Sequence, residues 1–245
     1  KAYRRAIEIR PNFPEALNGI GNTYLRKRKY EKALHAFNEC ISCDPLHKRV
    51  LAYKAISLNE LGRKEEALLI TNLETDIFLT SIAKDKDNSE DIEVFNNKLA
   101  TELLAHNSLT REPLHKTTKN GKQTGLLMEN SGTALQSLIS KINFKIEEYL
   151  KNFLINKNRP HHQSKPIKYY LSIWGTVLEN AGHQEPHIHT DGWLSGVYYV
   201  RIPKSIENDK ENSGCIEFGK PGYNIPYSYK PSTKTILPTS GMLLL

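Results

Sequence analysis

No stretch of the 245-residue chain approaches the roughly 18 consecutive apolar residues of a membrane-spanning helix, so none of it reads as a span. No signal peptide is visible. The chain opens on Lys1, without a Met, inside a helical pattern, and it closes on the apolar "GMLLL", so a piece truncated at both ends is expected. Cysteine is scarce. Cys40, Cys43 and Cys215 are too few for a disulfide scaffold, and a reducing, cytoplasmic setting fits them. Cys40 and Cys43 form a C-x-x-C, but no second pair and no nearby His pair completes a zinc set. Their spacing falls inside a helical repeat, so a structural role is expected. No G-x-S-x-G elbow surrounds Ser195–Gly196, which removes serine hydrolysis.

What is plentiful is aromatic residues and positive charge. Seven Phe, twelve Tyr and two Trp exclude a disordered chain, and the length allows one or two domains with real cores. The net charge is +7, yet the basic residues are scattered. The densest cluster, "RKRKYEK" at 26–32, falls at a predicted helix end, where cations suit the helix dipole. A solvated face is expected there, with no nucleic-acid partner, since charge alone says little about function.

The N-terminal third repeats with a period of 34 residues: Pro11 returns as Pro45, Tyr3 as Phe37, Ala6 as Cys40, Leu17 as Leu51 and Ala33 as Ala67. Small residues at Gly21 and Ala33 stand where two helices must approach closely. Leu17, Tyr24, Phe37 and Ile41 are bulky enough to fill the space around them. Pro45 stops the second helix because proline cannot continue the hydrogen-bond ladder. Residues 14–45 resemble a tetratricopeptide repeat, with the end of another before it and a weaker one at 48–80. The resemblance implies a solenoid that binds a protein or peptide.

"AKDKDNSED" at 83–91 reads as a linker, and "FNNKLATELLAH" places Phe95, Leu99, Leu103 and Leu104 at helical spacing. "HKTTKNGKQTG" reads as a loop with an Asn120–Gly121 turn. Leu135 to Leu154 is an amphipathic helix with Leu135, Leu138, Ile139, Ile142, Ile146, Tyr149, Leu150 and Phe153 on one face. After Pro160, "IKYYLSIWGTVLE", "WLSGVYYVRIP", "GCIEFGK" and "KTILPTSGMLLL" are strand-forming runs between turn-forming clusters, which predicts an antiparallel sandwich or barrel.

One segment concentrates ligand chemistry. "HQEPHIHTDGWLSGVYYV" puts His183, His187, His189 and Asp191 within nine residues, immediately before a strand-forming run. Residues two apart in a strand share a face, so His187, His189 and Asp191 are expected to project together from a strand end. His189 and Asp191 offer an imidazole and a carboxylate, two members of the 2-His-1-carboxylate triad of non-haem Fe(II) oxygenases.

This segment, with "SGCIEFGKP", resembles the 2-oxoglutarate-Fe(II) oxygenase family often fused to tetratricopeptide repeats. Trp174, Leu178, Gly182 (one residue out of step), His187, His189, Leu194, Ser195, Gly196, Val197, Tyr198 and Tyr199 fill one family run. Gly214, Ile216, Phe218 and Pro221 fill the next, and the resemblance covers about residues 92–245. It implies an α+β chain: a repeat solenoid at 1–82, a linker at 83–91, and a helix-flanked double-stranded β-helix (jelly-roll or cupin-like) barrel at 92–245, incomplete at its C-terminus. It implies Fe(II) as cofactor and 2-oxoglutarate as co-substrate. In many relatives the positions of Thr190 and Asp191 are not acidic, so two ligand pairs stay open. His189 with Asp191 is favoured on strand geometry, and His187 is the rival or a supporting group. The resemblance further implies a distal metal histidine, and an arginine for 2-oxoglutarate, beyond Leu245. His106, His115, His161 and His162 lie upstream, in the wrong order for a barrel that closes with its last strands.

Tyr199, Tyr198 and Tyr170, with Tyr169, are candidates for donating a hydroxyl to a 2-oxoglutarate carboxylate, and alternation lets one of each adjacent pair point inward. The implied function is an Fe(II)/2-oxoglutarate dioxygenase in the full-length protein, with the repeats presenting a protein substrate and this piece alone inactive. The alternatives are a non-catalytic repeat scaffold with a degenerate metal-binding barrel, or a cupin-like metal binder using His187 and His189.

Overall fold

The structure is a computed structural model that describes residues 1–45, 47–82, 91–127, 132–152, 159–163, 166–190, 192–206, 212–222 and 224–245. The linker predicted at 83–91 lies outside these apart from Asp91, as do Asp191 and the end of the predicted helix at Phe153–Leu154.

Five helices open the chain: α1 (Ala2–Ile9), α2 (Pro14–Arg26), α3 (Tyr30–Cys43), α4 (Lys48–Glu60) and α5 (Lys64–Ile70). Pro14 sits in the first turn of α2, where its missing N–H costs nothing. After α4 the chain reverses at Gly62, whose φ of +73° suits glycine. The helices pack as antiparallel neighbours through Leu17, Leu25, Ala33, Phe37, Cys40, Val50 and Ile56. Gly21 earns its place by contact, since a Cβ there would lie 2.2 Å from the Phe37 ring. Cys40 is buried and its thiol donates to the Pro14 carbonyl at 3.1 Å, and burial pushes it up to about 11. Of the C-x-x-C, Cys40 is therefore a packing residue, whereas Cys43 is exposed.

Beyond the repeats, α6 (Ile92–Leu104) and α7 (Thr133–Asn152) cover a three-stranded antiparallel sheet ordered β1 (Leu79–Ser81), β8 (Met242–Leu244), β5 (Val197–Tyr198). Leu79 pairs with Leu244, and Leu244 in turn with Val197. Ile82, Phe95, Leu99, Leu127, Leu135, Leu138 and Leu243 form the core between helices and sheet. The apolar stripe of α7 enters this core at its start. Further along, Ile146, Tyr149 and Leu150 meet Phe78, Trp193 and Leu194. Glu102 of α6 caps α7 from outside, accepting the Ala134 and Leu135 amides at 2.9 Å each.

A second sheet runs β2 (Thr110–Arg111), β3 (Thr118–Gln123), β4 (Thr176–Gln184), and a hairpin joins β6 (Ile216–Phe218) to β7 (Lys234–Ile236). Among the described residues these are three separate antiparallel sheets. An incomplete barrel is expected, and among the described residues no closed barrel forms, several strand-forming runs supplying only two or three paired residues each. The predicted turn at Asn120–Gly121 instead lies within β3, opposite a bulge whose extra residues, 179–182, belong to β4. Asn120 takes a left-handed φ of 46°, and the register to β4 shifts between Lys119 and Gly121.

Candidate metal centre

The site is built where β4 ends. Thr118 pairs with Gln184 and Lys119 with His183, and the Glu185 amide makes one more ladder bond to the Thr117 carbonyl at 3.0 Å. Pro186 follows with no N–H to give, so pairing stops there. Gly182 allows this strand to pass the bulge, since a Cβ would lie 2.4 Å from the Asn120 carbonyl oxygen. His187 and His189 consequently lie in a loop, one step past the strand on which they were expected.

Their rings still come together. The centroids of His187 and His189 are 4.8 Å apart, edge to face, and Trp174 lies 5.5 Å from His189 on its other side. His187 Nδ1 is 2.7 Å from the Glu185 carbonyl oxygen. With Nδ1 donating there, Nε2 is left with its lone pair outward, the form in which imidazole binds metals. His189 keeps an edge open to solvent, yet surrounding protein desolvates it and holds its pKa below the ordinary histidine value. The neighbouring His187 and Lys116 act in the same direction. Among the described residues no group of three His, Cys, Asp or Glu side chains gathers around a point.

His183, the third histidine of the segment, stays apart on β4, with Nε2 3.8 Å from a Glu185 oxygen and Nδ1 3.3 Å from the Ala181 carbonyl. The tyrosines divide as alternation requires. Tyr198 points to the helix side and donates to Asn96 Oδ1 at 2.6 Å. Tyr199 faces the other way beside Cys215, and burial, reinforced by that thiol, pushes its phenol up to about 12. Tyr170 is 87% exposed, and Tyr169 donates to Asn143 on α7 at 3.1 Å. His162 lies in the short helix α8 (Pro160–Gln163).

Two features had no signal in the sequence. A polar row, buried at Thr118 and Gln123, crosses the β3–β4 sheet: Thr118 donates to Gln123 Oε1 at 3.0 Å, and Gln184 reaches Thr118 at 3.4 Å and Thr176 at 3.5 Å. Arg49 of the repeat helix α4 donates to Thr190 Oγ1 at 3.1 Å, so the repeats touch the histidine loop.

Helical repeats joined to small antiparallel sheets, with two histidine rings paired in the loop after β4, are the features that the comparisons must account for. In family comparison, residues 172–245 match the model described as "Putative 2OG-Fe(II) oxygenase", and residues 14–46 match the tetratricopeptide repeat. The chain is thus similar to the tetratricopeptide repeat near its N-terminus and to that oxygenase family over residues 172–245. Comparison with curated proteins gives no match.

Proposed function

We propose that this protein is an Fe(II)/2-oxoglutarate-dependent dioxygenase that hydroxylates a protein or peptide substrate presented by its repeats. The observation that carries this reading is the edge-to-face pair of His187 and His189 inside the segment matching the oxygenase family. His189 and Asp191 are the proposed ligands, with His187 the rival ligand or the group that supports them. Iron with 2-oxoglutarate and O2 supplies the oxidising equivalents, 2-oxoglutarate leaving as succinate and CO2 while a C–H bond of the substrate becomes C–OH.

The remaining work belongs to the chain. His187 is held in one tautomer by Glu185, which orients the loop before any cation arrives. The Trp174 ring lies against His189 at 5.5 Å and restricts how that imidazole can turn. Tyr199, half-buried on the face away from α6, is the proposed hydroxyl donor to a 2-oxoglutarate carboxylate, ahead of Tyr198 and Tyr170. Three free thiols support a reducing, cytoplasmic setting, and no described helix is long and apolar enough to cross a membrane.

Succinate release from 2-oxoglutarate, measured on the full-length protein with and without Fe(II), tests the reading. Iron-dependent release is expected, and His189→Ala should abolish it together with Co(II) binding followed by absorbance. Absent release would favour a non-catalytic repeat scaffold, and iron-independent release would remove Fe(II) as the cofactor. Full turnover in His189→Ala would remove that residue as a ligand.

A further inference from the structure

The β6–β7 hairpin does not close tightly. Its connection crosses to the repeats and lays one short segment, Asn224 to Tyr229, against them. Ile225 is only 8% exposed because it enters the repeat core among Leu17, Leu25, Phe37, Val50 and Ile56. Tyr229 packs on the same cluster and its ring meets that of Tyr227 at 5.7 Å.

A polar anchor sits beside this apolar one. Glu60, the last residue of α4, accepts the Ser228 backbone amide on one carboxylate oxygen and the Ser228 hydroxyl on the other at 2.6 Å. Burial alone would raise the Glu60 carboxyl, but the Ser228 hydroxyl and amide bring it below the ordinary range. Burial and the nearby Glu60 carboxylate in turn push the Tyr30 phenol up. A carboxylate reading main-chain amides beside a pocket for an aliphatic side chain is a peptide-recognition arrangement, and amide-to-carboxylate bonds are the stronger, charge-assisted kind.

We propose that the repeats carry a peptide-docking site whose resident occupant is the chain's own Asn224–Tyr229 segment, so that an outside protein partner must displace it. The recognised chemistry is an aliphatic side chain followed three residues later by Ser and then an aromatic, with the Ser amide and hydroxyl on Glu60. The neighbours of the segment lie next to the histidine loop. Gly222, two residues before the segment, lies against the Pro186 carbonyl, and Arg49 of the same repeat surface holds Thr190. The inference stands on these contacts alone, whether or not the histidine loop binds iron.

The probe is a fluorescein-labelled synthetic peptide spanning residues 221–231, titrated by anisotropy against the full chain. Wild type should bind weakly, because the site is filled. Ile225→Ala/Tyr229→Ala/Ser228→Pro, which removes the segment's apolar anchors and its bonds to Glu60 and so empties the site, should bind at least about tenfold tighter, and adding Glu60→Gln should lose about tenfold again, each factor worth about 1.4 kcal/mol. Equal binding to wild type and the emptied variant, or indifference to Glu60, would overturn the proposal. Should the emptied variant fail to fold, hydrogen exchange on otherwise intact chains decides. The Ser228 and Tyr229 amides should exchange about tenfold faster in Glu60→Gln than in wild type, and unchanged rates would sink the idea. Concentration-dependent dimerisation of wild type with retained Ser228 protection would place the segment on a second copy and likewise reject the resident occupant.

Discussion

Removing the guanidinium of Arg159 should cost about 3 kcal/mol of stability, near the low end of what breaking a buried ion pair costs. Arg159 is 5% exposed, and both oxygens of Asp76 accept from it. It also donates to Thr75 Oγ1 at 2.8 Å. Asp76 keeps other partners when Arg159 is lost: the Asn72 amide at 2.7 Å and the Thr75 hydroxyl at 3.1 Å. Its side chain retains 18% exposure. Those remaining donors and that solvent access are why the low end applies. The pair ties the turn after α5 to α8, just before the chain enters β1, so its loss should loosen the β1–β8–β5 sheet first. Urea denaturation of Arg159→Met, followed by tryptophan fluorescence, should show a midpoint lowered by about 1 M for a slope near 3 kcal/mol per M. Asp76→Leu/Arg159→Met should recover most of the loss, because no unpaired charge remains. A loss under about 1 kcal/mol for Arg159→Met, or a double variant as unstable as the sum of the single ones, would refute this account.

Three further outcomes are expected. Gly21→Ala should destabilise the repeats by about 2 kcal/mol through overpacking, since Phe37 is fully buried and has nowhere to move, and a thermal melt monitored by helical circular dichroism reads it. Tyr198→Phe should cost about 1–2 kcal/mol, because buried Asn96 would lose the donor to its Oδ1, and denaturation with unchanged Co(II) affinity would set this packing role apart from a co-substrate role. His189 should titrate by NMR below an unstructured histidine, and His187→Ala should bring it partway back up. The folded chain then binds fewer protons at this ring than the unfolded chain does. Its contribution to stability is therefore complete above about pH 6.5 and is lost as pH falls through the folded value. A midpoint at or above the ordinary histidine value would contradict the desolvation argument.

Much of this protein is local physics and therefore legible in its sequence. The repeat period places Gly21 opposite Phe37 and Ala33 in the core, and the stripe from Leu135 to Leu150 predicts both α7 and the face it buries. The i,i+2 spacing of His187 and His189 brings their rings together even though the strand ends at Gln184. Asn120–Gly121 shows where such reading fails. A left-handed residue serves a hairpin turn or a strand opposite a bulge equally well, and only the pairing of β3 with β4 selects the second. Contacts between residues far apart in the chain carry no periodicity at all. Leu79 pairing with Leu244, Glu102 capping α7, Glu60 holding Ser228 and Arg49 reaching Thr190 were all decided by the tertiary structure. Each joins groups whose own neighbours in sequence leave them unsatisfied, and only folding supplies the partner.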